Sequence, residues 1–178
     1  MQPLPPSTRD LLISLHKSMP PGAMSAKKWT RWFQEAAANL VTQGRKHFGR
    51  CGRGEGWDPE YLVDATVSDN VPGAGAEDCF GYSRLLLAVE TEWSTNRWNR
   101  AYDFCKLADI RAVRKLYACE VSNRAWRDVE ERVVTPFSNF WAAHTLVLPG
   151  EEVGLMISST DHLGAWVLCK GADFDRVV

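Results

Sequence analysis

Leu85-Leu86-Leu87-Ala88-Val89-Glu90-Thr91-Glu92-Trp93 is the stretch that decides the fold. Its unbroken apolar start reads as a β-strand buried on both faces, the pattern of a strand inside an α/β sheet. The run stops at two glutamates one residue apart. Side chains alternate along a strand, so Glu90 and Glu92 point to the same side. Two carboxylates there repel each other by roughly 4 kcal/mol at ~4 Å and an effective dielectric of ~20. They need a cation, a proton or a lysine to coexist, which makes the strand end a candidate site.

Upstream, Tyr61 to Val67 reads as a second strand, with Asp64 set among apolar residues. A charge inside such a strand needs a partner. If the two strands are neighbours, Asp64, Glu90 and Glu92 converge at one sheet edge. With the Thr91 carbonyl they make an all-oxygen set suited to Mg²⁺ or Mn²⁺. Taken singly, Glu92 also reads as a strand-end surface residue and Asp64 as a loop cap.

Further out, a short helix is expected around Arg9 to Ser18, broken by Met19-Pro20-Pro21-Gly22. A longer helix runs from an N-cap at Ser25 to about Phe48, with Trp29, Phe33, Ala36 or Ala37, Leu40 and Val41 at helical spacing. After the glutamates, a helix begins near Asn96, and Arg114 to Val121 reads as a strand. A helix from Asn123 to Trp141 follows, kinked or shortened by Pro136. Three short strands, His144–Leu148, Val153–Ser158 and Ala165–Lys170, close the chain. The order is α-α-β-β-α-β-α-β-β-β. The strand–helix–strand crossover requires a parallel pair, hence one α/β domain with a mixed sheet. Residues 1–24 form a lead-in with a short helix and 25–178 the domain proper.

The chain has 178 residues, enough for a proper core. Its net charge of −1 gives no argument from composition for a nucleic-acid or membrane partner. Local basic clusters exist: Lys27-Lys28 with Arg31, Arg45-Lys46-His47 with Arg50 and Arg53, and Arg111, Arg114 and Lys115. Each also reads as a solvated surface. The cysteines (51, 79, 105, 119 and 169) lack CxxC or zinc spacing and read as free thiols of a reducing cytosol. There is neither a signal-peptide pattern nor an apolar run of membrane-spanning length. A cytoplasmic protein is expected. His16, His47, His144 and His162 lack ligand spacing. Of the tryptophans, Trp29, Trp126, Trp141 and Trp166 read as core, while Trp93 and Trp98 flank the acids.

An acid on one strand, V-E-T-E-W at the end of the next (Val89 to Trp93) and D-F-C-K-L (Asp103 to Leu107) on the following helix together resemble the PD-(D/E)xK, or restriction-endonuclease-like, nuclease superfamily. The resemblance covers about Tyr61 to Val121, with the preceding helix as the usual first element. It implies a restriction-endonuclease-like mixed β-sheet flanked by helices in a single domain. It makes Asp64 and Glu90 metal-binding acids, with the Thr91 carbonyl beside them and Glu35 as the family's occasional helical acid. Glu92 stands where most members have lysine, and Lys106 is the candidate to supply that charge from the helix. The implied activity is Mg²⁺- or Mn²⁺-dependent phosphodiester hydrolysis in DNA, carried by Asp64, Glu90, Glu92 and Lys106. Lys27, Lys28, Arg31, Trp93, Arg97, Trp98 and Arg100 are placed to contact the nucleic acid, and a homodimer would let such an enzyme cut both strands. The missing strand lysine leaves a rival, a non-catalytic binding or assembly module of the same fold. A further rival makes the acids structural, paired to Arg84, Arg97 or Lys106.

Overall fold

Among the described residues, the leucine-rich strand is the third of seven in a mixed sheet whose spatial order follows the chain. The computed structural model describes residues 5–20, 25–42, 47–50, 63–70, 82–94 and 96–178. The elements are α1 (Thr8–Lys17), α2 (Ala26–Thr42), β1 (His47–Arg50), β2 (Ala65–Asn70), β3 (Tyr82–Glu92), α3 (Arg97–Asp109), β4 (Ala112–Glu120), α4 (Asn123–Trp126), α5 (Thr135–Ala143), β5 (Glu152–Ser158), β6 (Leu163–Cys169) and β7 (Asp175–Arg176). β1, β2 and β3 run antiparallel to one another. β3–β4 and β4–β5 are parallel, and β6 and β7 return antiparallel. An α/β fold with a mixed sheet is therefore observed.

Each parallel pair is joined by a helical crossover, and crossovers of one hand progressing in one direction place their helices on one face. Accordingly Phe104 and Leu107 of α3 pack with Phe137 and Trp141 of α5 over Ala88, Tyr117, Cys119, Leu155 and Ile157. On the other face Leu11, Leu12 and Leu15 of α1 and Phe33, Ala37 and Val41 of α2 cover Leu87, Val89, Leu116, Ala118 and Met156. The alternation of 87/89 and 88 between the two cores is the period-two pattern of a strand covered on both sides. α1 is thus part of the core. Ser7 caps it by accepting from the Asp10 N–H at 3.1 Å.

Several expectations are corrected. α2 ends at Thr42, not Phe48, and His47–Arg50 is an edge strand. The strand expected from Tyr61 begins at Ala65, with Asp64 just ahead of it; Tyr61 and Leu62 lie outside the described residues. The helix from Asn123 to Trp141 is three pieces, with a π-turn at Glu130–Val134 between α4 and α5. The Thr135 N–H closes this turn on the Glu130 carbonyl, five residues back, and Pro136, which has no N–H to give, follows at once in the first turn of α5. His144–Leu148 is a turn, not a strand. Leu146 and Leu148 are exposed there, and the Leu148 N–H is taken by the Glu151 carboxylate at 2.9 Å.

Among the described residues no helix is long and apolar enough to cross a membrane.

Candidate active site

The antiparallel register pairs Ala65 with Val89, so the next step outward sets Asp64 beside Glu90. The Asp64 N–H donates to Glu90 Oε2 at 2.8 Å. In the other direction, Asp64 Oδ2 accepts from the Thr91 N–H at 2.9 Å and from Thr91 Oγ1 at 2.6 Å. The two acids are therefore locked across neighbouring strands. A strand residue's N–H and C=O project to the same side. The Thr91 carbonyl, assigned above as a ligand, consequently faces the side from which Asp64 approaches.

Lys106 reaches this pair from α3. Its Nζ lies 2.6 Å from Glu90 Oε1 and 2.6 Å from Asp103 Oδ1. Asn96 starts the helix by accepting from the Trp98 N–H at 2.9 Å, and Phe104 and Leu107 anchor it in the core. Lys106 and Asp103, three apart, then share the side of the helix that meets the strand end. Glu92 diverges from the other two acids. It accepts from the Ser94 N–H at 2.6 Å and leans on Asp103, which holds its proton more tightly. The expected convergence of three acids is thus a joined pair, Asp64 and Glu90, with Glu92 beside it.

Electrostatically, the cluster is short of positive charge. Burial, then the charge of Asp64, pushes the Glu90 carboxyl up to about 8. Burial likewise raises Asp64 against the opposing pull of its Thr91 bonds and Lys106. Glu92 is raised too, first by burial. Burial alone would lower the Lys106 ammonium, but its bonds to Asp103 and Glu90 hold it above the ordinary lysine value. Four carboxyls around one ammonium give these shifts a common sense: the cluster retains protons and would welcome another cation. Asp64 and Glu90 fit a hard divalent ion in donor type. Among the described residues, no group of three or more His, Cys, Asp or Glu is disposed to hold a metal.

The remaining candidates are scattered. Glu35 lies on α2, across the sheet from α3, and its carboxylate pairs with Arg31 at 3.1 Å. Lys27 and Lys28 are exposed in the first turn of α2. Trp93 is half-buried, donates through Nε1 to Thr30 Oγ1 and packs 5.4 Å from Trp29. Arg97 lies over the Trp98 ring at 4.9 Å. Arg100, expected at a phosphate, is buried and reaches the Ser94 and Glu120 carbonyls at 3.4 and 3.3 Å. It holds the ends of β3 and β4 together. In the third basic cluster, Lys115 is buried against Glu151 and Arg114 donates to the Pro6 carbonyl at 2.7 Å, so both are structural. The second cluster falls outside the described side chains, as does Arg84.

Sequence reading assigned no role to Asp103, which anchors Lys106 and touches Glu92; its i, i+3 spacing from Lys106 was the available signal. It also missed a cavity of about 490 Å³ at the C-terminal edge of the parallel strands, lined by Trp29, Trp93, Glu120, Ser158, Asp161 and His162. Such edges are where open α/β sheets bind ligands. No protein-family profile, curated protein or solved structure matches the chain.

Proposed function

We propose that this chain is a metal-dependent nuclease of the restriction-endonuclease-like superfamily, hydrolysing phosphodiester bonds in DNA. The observation that carries the reading is the Asp64–Glu90 pair joined to Lys106 at the end of β3. The surrounding order supports it: a helix, three antiparallel strands, a helix, then a strand parallel to the third. Asp64, Glu90 and the Thr91 carbonyl would hold Mg²⁺ or Mn²⁺, which when bound polarises the phosphate and acidifies water. Lys106 presents a fixed positive charge where negative charge builds on the phosphate, occupying by a different route the role of the absent strand lysine. Glu92, partly exposed and with a raised proton affinity, is the carboxylate placed to take the proton of the attacking water.

The test is incubation of plasmid and single-stranded DNA with Mg²⁺ or Mn²⁺, beside an Asp64→Ala/Glu90→Ala control. Metal-dependent cleavage by the native chain alone supports the reading. Equal cleavage by both proteins, or none under any condition, overturns it.

One observation favours the second reading, a non-catalytic module of the same fold: Lys106 already gives Glu90 a counter-charge. Calorimetry with Mn²⁺ separates the two, since the module needs no metal and would bind none at millimolar concentration.

A further inference from the structure

Trp98 and Tyr102 are the most exposed large apolar side chains among the described residues, at 69% and 68%. Isolated exposed apolar residues are ordinary, but two aromatic rings on one helix face beside a candidate active site are not. They stand four apart on α3, so they share a face, separated by about 6 Å of helix rise. Each ring has a cation beside it. The Arg97 guanidinium lies 4.9 Å from the Trp98 ring centre. Lys106 Nζ lies 5.3 Å from the Tyr102 ring centre and 2.6 Å from Glu90 Oε1. Two rings thus stand between two cations down the helix, and the second cation ends at the acids.

We infer that this ridge is a stacking platform for an unpaired nucleic-acid strand. Its rings would take base faces, and Arg97 and Lys106 would take the adjoining phosphates. The inference rests on the nuclease reading and names its substrate class, a single strand or an unpaired end. The exposure of both rings supports that choice, because a duplex keeps its base faces covered and an unpaired strand offers them for stacking. The paired cations favour a polyanion over an apolar protein surface, because such a surface would have to desolvate both charges.

The test is binding in metal-free buffer with EDTA, so that cleavage plays no part. A fluorescent single-stranded DNA oligonucleotide and its duplex are titrated by anisotropy with the native chain, a Trp98→Ala/Tyr102→Ala variant and a Trp98→Phe/Tyr102→Phe variant. Both side chains are exposed, so circular dichroism should be unchanged. The native chain should bind the single strand at least tenfold more tightly than the duplex. The alanine variant should lose about tenfold or more on the single strand only, and the phenylalanine variant should retain most of the affinity. Equal affinity for single strand and duplex, no DNA binding, or undiminished binding by the alanine variant would overturn the platform, the last assigning the ridge to another partner. Metal-dependent cleavage persisting in that variant at native rate would leave the nuclease reading standing without it. Ring-dependent strand binding with no cleavage would do the reverse.

Discussion

Lys106 Nζ stands 2.6 Å from Glu90 Oε1, and the glutamate it meets is 1% exposed. A carboxylate so placed, with Asp64 bonded to it, depends on this ammonium for its charge. Lys106→Met keeps most of the stem and removes the charge. The variant should lose about 3 kcal/mol of stability near pH 8, because a buried charge loses its partner. Near pH 5, where Glu90 is protonated in either protein, the loss should be much smaller. Urea unfolding at the two pH values checks this, and an equal loss at both would mean the lysine acts through Asp103 or by packing rather than through the charge of Glu90. Under the nuclease reading, cleavage should fall about 100-fold or more, as when a preorganised transition-state contact is removed.

Glu90 itself predicts how the fold responds to pH. Its carboxyl titrates at about 8 in the folded chain against 4.5 ordinarily, so between those values the folded state holds a proton that the unfolded state has lost. Stability from this group is complete below about pH 4.5 and disappears as pH rises through about 8. The expected decline is on the order of 5 kcal/mol. Lys106 is raised as well, but its loss of stability falls at alkaline pH, above this window. Glu90→Gln should flatten the curve and match or exceed the native chain near pH 8. A native curve already flat from pH 5 to pH 8 would refute the shift.

Much of this site was legible because it rests on the simplest patterns. Alternation along β3 aligns Glu90 with Glu92, and register with β2 brings in Asp64. Lys106 came from the resemblance of Asp103 to Leu107 to the superfamily's helical motif, not from periodicity. What alternation could not supply was the direction of each side chain once it left the strand. Glu92 leans to Ser94 and Asp103 because Lys106 has already engaged Glu90. The fold's errors have similar causes. Thr145-Leu146-Val147-Leu148 has a strand's composition, yet it precedes Gly150 with φ of 77° and lacks a sheet neighbour. His47-Phe48-Gly49-Arg50 has little strand character and gains it from pairing with β2.

Glycine 154 provides a test of the fold independent of any function. A Cβ there would lie 2.6 Å from Leu116 Cδ2 and 3.0 Å from Thr8 Cγ2. The bare backbone is what lets α1 settle on β4 and β5. Gly154→Ala should cost about 1–3 kcal/mol by overpacking. Thermal unfolding reads this, and an unchanged midpoint would mean α1 does not dock there.

Added metal should act on the same charge deficit. If Asp64 and Glu90 hold Mn²⁺, the melting temperature should rise with Mn²⁺ by roughly 5–10 °C at a hundredfold excess over the dissociation constant. The rise should be larger near pH 8 than near pH 5, because metal and proton compete for the Glu90 carboxylate. Asp64→Ala should abolish it. An equal rise in that variant would place the binding elsewhere.

Thr91→Val isolates the bond that steadies Asp64. The threonine hydroxyl donates to Asp64 Oδ2 at 2.6 Å while its N–H donates to the same oxygen at 2.9 Å. Valine keeps the shape, the backbone donor and the strand preference, and deletes only the hydroxyl. Burial already raises the Asp64 pKa, with the Thr91 bonds opposing it. Losing one bond should raise it further, so the folded state should hold the Asp64 proton to higher pH. The stability lost, about 2 kcal/mol when Asp64 is ionised, should therefore be greater near pH 8 than near pH 4. Mn²⁺ affinity should fall over the pH range in which Asp64 titrates, because the ion must displace a more tightly held proton. Thr91→Ser retains the hydroxyl and should behave nearly as the native chain. Denaturant titrations at the two pH values and Mn²⁺ calorimetry give the answer. A loss confined to Thr91→Ser, with Thr91→Val as stable as the native chain, would show that the γ-methyl, not the hydroxyl, is what this position supplies.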